Sequence, residues 1–143
     1  MSQQSIKRHF LGCESLREVQ LNNVLNTLGE DAFNSCFCLA FIEIPAALQL
    51  SGRGTFYNCI SLKMAILNEG TILIDEEAFS ECSTLLGMTI PPTIKSIALD
   101  AFMGSNLYLL RNVSISLVSN LTPEIFEQSF PTLSSMGISL DMI

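Results

Sequence analysis

The chain has 143 residues, 48% of them hydrophobic, which is enough material for one folded domain with a sizeable core. Fourteen acidic against seven basic residues give a net charge of −7, and a surface of that sign repels phosphate backbones, so we predict no nucleic-acid partner. No apolar run approaches the length of a membrane span, and residues 1–9 lack the apolar segment of a secretory signal.

Residues 1–9 precede a repeating phrase and are predicted to form a tail or a partial cap, with Ile6 under the first turn. The phrase is Phe-x-x-Cys-x-x-Leu, and each of its positions recurs with a step of 23 residues. Its members are Phe10, Phe33, Phe56, Phe79 and Phe102; Cys13, Cys36, Cys59 and Cys82; and Leu16, Leu39, Leu62 and Leu85. A fixed period in this range is typical of a solenoid, so we predict one solenoid domain over residues 10–143 with five to six coils.

Each repeat contains a predicted short strand, beginning with the pair Val19 and Leu21 in the first repeat. Two apolar residues separated by one position lie on the same face of a strand. The equivalent pairs are Ile42 and Ile44, Ala65 and Leu67, and Met88 and Ile90. A fifth strand is predicted within residues 107–113 and a sixth near residues 133–138.

A turn follows each strand, and Pro45 and Pro91 are predicted to end two of the strands because proline cannot continue the ladder. The chain then returns through a second apolar segment, for example Ile72 and Ile74. Before the next Phe stand Asp31, Gly54, Glu77 and Asp100, which suit the start of a helical turn. Each coil is therefore predicted as a strand, a turn, a second extended piece and one helical turn.

Four of the five cysteines hold one repeat position, which indicates a buried packing residue, and Ser105 takes that position in the next repeat. Thiols one coil apart lie on a line, whereas zinc needs ligands that converge on a point, so we predict no metal site. Buried thiols favour a reducing, intracellular setting; a cell-surface or secreted location is the alternative.

Catalytic chemistry has little support in the sequence. A thiol nucleophile needs a base, and His9, which is the only histidine, lies outside the repeats. The acid pairs Glu30–Asp31 and Glu76–Glu77 are explained by a solvated surface, on which Glu30, Arg53 and Glu76 are predicted to form a column of alternating charge. We therefore predict no catalytic residues and no cofactor.

The whole phrase, Phe-x-x-Cys-x-x-Leu-x-x-Ile-x-Ile-Pro with a return segment ending in Ala-Phe, resembles the BspA-type leucine-rich repeat. The best matches are residues 36–45 and residues 78–91. This resemblance implies an α/β-type solenoid with a parallel sheet on its concave face and short strands and helical turns on its convex side. It also implies a binding function, since members of the family include adhesion proteins.

The concave face then carries the side chains that alternate with the inward pairs. Contiguous exposed apolar side chains commonly mark a partner site. The predicted protein-binding residues are Phe41, Glu43, Met64, Ile66, Thr89 and Leu110. The sequence favours a non-enzymatic protein-interaction module; a structural subunit of a larger assembly and a surface adhesin for host protein or glycan stay as alternatives. Uncovered solenoid ends would also permit self-association.

Overall fold

The structure is a computed structural model that describes residues 5–46, 48–50, 52–91, 93–98, 100–105, 113–115, 123–124 and 127. Short parallel strands follow one another along the chain and pair from coil to coil, so the predicted repeat solenoid is confirmed. Among the described residues the strands are β1 (Ser5–Ile6), β2 (Thr27–Leu28), β3 (Phe41–Ile44), β4 (Gln49–Leu50), β5 (Met64–Leu67), β6 (Leu73–Ile74), β7 (Gly87–Ile90), β8 (Ser96–Ile97) and β9 (Val113–Ile115).

The main sheet has the order β3-β5-β7-β9. The step from β3 to β5 and from β5 to β7 is 23 residues, because Ile42 pairs with Ala65 and Ala65 with Met88. These three side chains are fully buried, so one face of the sheet is closed by the core and the alternate residues point outward. Strand β3 ends immediately before Pro45 and β7 immediately before Pro91, as the sequence predicted.

The return segments form two smaller sheets, β1-β2-β4 and β6-β8. The step between paired residues is 22 in the first sheet, where Thr27 pairs with Gln49, and 23 in the second. Between β4 and β6 the step changes and the two strands do not pair, and the Gln49 side chain connects β4 to the segment that precedes β6. Its Nε2 donates to the Gly70 carbonyl at 2.6 Å, and its Oε1 accepts from the Ile72 N–H at 3.2 Å. A side-chain amide thus replaces the missing backbone pairing.

The segment around each Phe forms hydrogen-bonded turns instead of a regular helix. Asp31 and Glu77, which were expected to begin helical turns, have φ of 54° and 53° in the left-handed region. Gly54 occupies the equivalent position with φ of 65°, where glycine has no steric penalty. In this geometry alternate amides point to the next coil: the N–H of Phe33 donates to the Thr55 carbonyl at 2.8 Å. Every coil boundary from Phe10 to Phe102 has such a bond.

The five phenylalanines of the repeat position, from Phe10 to Phe102, form one continuous stack through the core. Neighbouring ring centroids are 5.0, 5.3, 5.2 and 5.7 Å apart, with interplanar angles of 14° or less. The four rings from Phe33 to Phe102 are at most 1% exposed. Because burial of a large aromatic side chain is among the strongest apolar contributions to stability, this stack aligns the coils as well as filling their interior.

Two strand predictions were wrong in detail. The first predicted strand does not form: Val19 and Leu21 are half-buried against the core, but residues 18–21 belong to no sheet. The fifth strand lies later than expected, because Met88 pairs with Val113 at a step of 25 residues. The insertion of two residues before β9 shifts the pairing without changing its parallel direction. The sixth predicted strand, near residues 133–138, lies outside the described residues.

Replacing Phe56 with alanine is expected to lower the free energy of unfolding by about 3–5 kcal/mol, because the cavity interrupts the ring stack on both sides. The matched control is Phe41→Ala, which removes the same side chain from a position that is 38% exposed and is expected to cost about 1 kcal/mol or less. Urea-induced unfolding followed by circular dichroism measures both. Equal losses in the two variants would contradict the structural role of the stack.

Candidate functional site

The outward side of β3, β5 and β7 forms two columns of side chains, which we call the concave face. In the first column Phe41 pairs with Met64 and Met64 with Gly87; in the second, Glu43 pairs with Ile66 and Ile66 with Thr89. Five of the six predicted binding residues therefore lie on one surface, on adjacent strands about 4.8 Å apart. The sixth, Leu110, lies outside the described residues. Their role in binding stays a prediction.

The centre of the concave face is apolar. Phe41 and Met64 are neighbours and are each 38% exposed, while Ile66 is half-buried. Gly87 follows in the same column and has no side chain, so it leaves the side of Met64 that faces β7 uncovered in this column. Exposed apolar side chains are thus contiguous here, not scattered.

Polar groups border this apolar centre. Glu43 is exposed, and its carboxylate accepts a hydrogen bond from the Asn68 side-chain amide at 2.9 Å. Asn68 follows β5, so this contact joins two coils and restricts the Glu43 rotamer. Thr89 is exposed at the other end of the same column. An apolar centre with a polar border is the usual composition of a protein-binding surface.

A groove of about 660 Å³ opens beside β3, and it was not predicted from the sequence. It is lined by Glu18, Val19, Gln20, Leu21, Phe41, Glu43 and Pro45. The groove exists because residues 18–21 do not pair with β3, whereas the following coils are fully paired. The repeat pattern assigned a strand to both segments, so no signal in the sequence distinguished the unpaired one.

The cysteine column is part of the core, as the sequence predicted. Cys36, Cys59 and Cys82 are fully buried, and each thiol donates to the carbonyl of the Phe in the preceding coil at 3.1–3.2 Å. Burial raises the pKa of Cys36 to about 11 and that of Cys82 to about 12, and it also raises the pKa of Cys59. These thiols stay protonated near neutral pH, which disfavours both metal ligation and nucleophilic attack.

The charged residues of the opposite side form ion pairs between coils, but their partners differ from the prediction. Arg53 donates to both carboxylate oxygens of Glu77, at 3.0 and 3.1 Å, instead of pairing with Glu76. Glu30 accepts from Arg8 at 2.8 Å and is not part of an alternating column. Glu77 has left-handed backbone, which accompanies this change of partner. These contacts favour a structural role for the acidic residues Glu30, Asp31 and Glu77.

Within the described residues, no three or more His, Cys, Asp or Glu side chains are arranged to hold a metal ion. In the same part of the chain, no helix has the length and apolar character needed to cross a membrane.

The buried thiols predict a loss of stability at alkaline pH. Below pH 9 a thiol is protonated in both the unfolded and the folded chain, so its contribution is fully present. Between pH 9 and about 12 the unfolded chain releases the Cys82 proton while the folded chain retains it, and the free energy of unfolding falls by on the order of 1 kcal/mol for each pH unit.

Urea unfolding at pH 8 and at pH 10.5, in the presence of a reductant, measures this effect. The free energy of unfolding should decrease less between the two pH values in Cys82→Ala than in the wild type. The control Cys38→Ala removes an exposed thiol, and its free energy of unfolding should decrease as much as that of the wild type. The same fall in Cys82→Ala as in the wild type would show that the buried thiol does not titrate as described.

Comparison with known proteins gives two findings on this architecture. The model of the BspA type leucine rich repeat region matches residues 3–133 with six copies. A crystal structure of a leucine-rich repeat protein from Bacteroides ovatus is similar, with 29% sequence identity and a TM-score of 0.54. That similarity covers 57% of this chain and 21% of the other, so the matched part spans about a fifth of the length of that protein. No curated protein matches the sequence.

Proposed function

Since the chain belongs to the BspA-type leucine-rich repeat family, we propose that it is a non-enzymatic module that binds a protein partner through the concave face. The observation that carries this proposal is the exposed pair Phe41 and Met64 at the centre of that face. Leaving two large apolar side chains in water has a free-energy cost that burial against a partner removes.

The neighbouring contacts support the same proposal. Phe41 and Met64 stand on paired strands, so their backbones are held rigidly and lose little freedom on binding. Glu43 is oriented by Asn68 at the edge of the apolar pair, which provides a charged group in a defined position. Aromatic residues and methionine are enriched at the centres of protein interfaces.

Two further features favour a binding role over catalysis and agree with an intracellular setting, which we also propose. Three of the five thiols, those of Cys36, Cys59 and Cys82, are buried and bonded to backbone carbonyls. The described cysteines are all free, and free thiols persist in a reducing compartment.

The double variant Phe41→Ser with Met64→Ser tests the proposal. It is expected to fold, because both side chains project from the sheet, and to lose at least tenfold in partner affinity, because the apolar centre of the interface is removed. The matched control is Ile60→Ser with Ile72→Ser, which removes two apolar side chains of similar exposure, 42% and 43%, from other surfaces.

The wild type, the concave-face variant and the control variant are immobilised and exposed to an extract of the source cells. The proteins that each of them retains are quantified by mass spectrometry. We expect a partner that is retained by the wild type and by the control but not by the concave-face variant. Equal retention by all three would overturn the proposal. Native mass spectrometry of the protein from its own source then distinguishes a stoichiometric assembly subunit from a transient binder.

A further inference from the structure

The groove beside β3 differs from the apolar centre of the concave face in its chemistry. Among the described residues its lining contains the carboxylates of Glu18 and Glu43 and no lysine or arginine. Its apolar part consists of Val19, Leu21, Phe41 and Pro45. The negative charge is therefore concentrated beside an aromatic ring, on a chain whose net charge is −7.

The groove also contains a strand edge that bonds to the first coil only at its start, where the Ala40 N–H donates to the Arg17 carbonyl at 3.4 Å. Among the described residues β3 is the first strand of its sheet, and residues 18–21 form no strand beside it. The carbonyls of Ala40 and Ile44 accept from the third coil, from Lys63 N–H at 2.9 Å and Asn68 N–H at 3.1 Å. Peptide groups alternate in direction along a strand, so those of Phe41 and Glu43 point to the opposite side, into the groove.

These observations define one occupant. We propose that the groove binds an extended peptide segment of a partner protein that pairs with the edge of β3 and places an arginine side chain between Glu18 and Glu43. This inference rests on the proposed function, since it specifies the chemistry of the partner at one end of the concave face.

Each part of such a segment has a counterpart in the groove. Its backbone pairs with the peptide groups of Phe41 and Glu43, as in other cases of strand addition to an open sheet edge. The guanidinium donates to the two carboxylates in charge-assisted hydrogen bonds and stacks on the Phe41 ring. The planar guanidinium with five donors suits two carboxylates and an aromatic face better than the ammonium group of lysine does. Alternate apolar side chains of the segment contact Val19 and Leu21.

The groove volume agrees with this occupant. At about 660 Å³ it lies in the range of roughly 300–1,000 Å³ that is usual for sites enclosing a ligand of a few residues. Asn68 already holds one oxygen of Glu43 at 2.9 Å, so that carboxylate is oriented before the segment arrives. A positioned carboxylate loses less side-chain entropy on binding than a mobile one.

The test uses acetylated and amidated five-residue peptides of alternating threonine and valine with one guest residue at the centre. The guests are arginine, lysine, citrulline and leucine; citrulline keeps the shape of arginine but has no charge. Binding is measured by NMR titration of the whole chain. We expect the arginine peptide to bind best, at least tenfold more tightly than the citrulline and leucine peptides, and to slow the hydrogen exchange of the Phe41 and Glu43 amides.

Two charge variants distinguish binding by the groove carboxylates from attraction by the net negative charge of the protein. Glu18→Gln with Glu43→Gln should weaken the arginine peptide at least tenfold and leave the leucine peptide unchanged. Glu14→Gln with Glu69→Gln changes the net charge equally, at exposed positions outside the groove, and should have little effect. Equal binding of the arginine and citrulline peptides, equal loss in the two charge variants, or no binding of any peptide would overturn the inference.

The charge variants also separate this inference from the proposed function. If a partner captured through Phe41 and Met64 is retained by Glu18→Gln with Glu43→Gln at full strength, the inference about the groove fails and the concave-face proposal stands. If that partner requires the carboxylates as well as the apolar pair, both are supported. If no retention depends on Phe41 and Met64 but the arginine peptide binds, the proposed function fails while the groove assignment survives.

Discussion

The stacking of one phenylalanine on the next is the constraint on which the other features of this structure depend. Four ring contacts with centroids 5.0–5.7 Å apart fix each coil relative to its neighbour. Once the rings are aligned, the amides around them meet the carbonyls of the next coil, and the strands that follow arrive in register. The residues on each side of the ring have left-handed backbone, which is energetically unfavourable for residues other than glycine. The hydrogen bonds between neighbouring coils offset this strain.

The cysteine position shows how tightly the stack determines its surroundings. A thiol is small and apolar enough to be buried beside a ring, and it is also a weak donor that reaches the carbonyl of the preceding Phe. At the end of the series Ser105 takes this position, but its hydroxyl donates to Phe102 in its own coil at 2.6 Å. At this position the Ser105 hydroxyl therefore bonds within its own coil, whereas the thiols of Cys36, Cys59 and Cys82 reach the preceding coil.

The repeat period predicted the elements that the core determines and failed where a coil lacks a complete set of neighbours. Equivalent positions such as Ile42, Ala65 and Met88 are buried in the expected register because each stands on a strand that pairs with the next coil. Val19 follows the same pattern, yet it forms no strand, since periodicity identifies equivalent residues without showing whether their backbones approach. The pairing of Arg53 with Glu77 was equally unpredictable, because a long flexible side chain can reach several carboxylates and the repeat period does not show which of them it contacts.

The core columns and the outward column of the sheet differ in how their residues vary along the chain. The Phe, Cys and Leu columns of the core repeat one residue type through four coils, and the strand column stays apolar, because the interior accepts only such side chains. The outward column changes from Glu18 to Phe41 to Met64 to Gly87, although the fold would accept one polar residue at every step. A column that the core does not constrain, and that nevertheless places exposed apolar side chains together, has a composition that stability alone does not explain. The concave face and the groove beside it are therefore the part of the solenoid in which the packing of the coils does not determine which side chains are suitable.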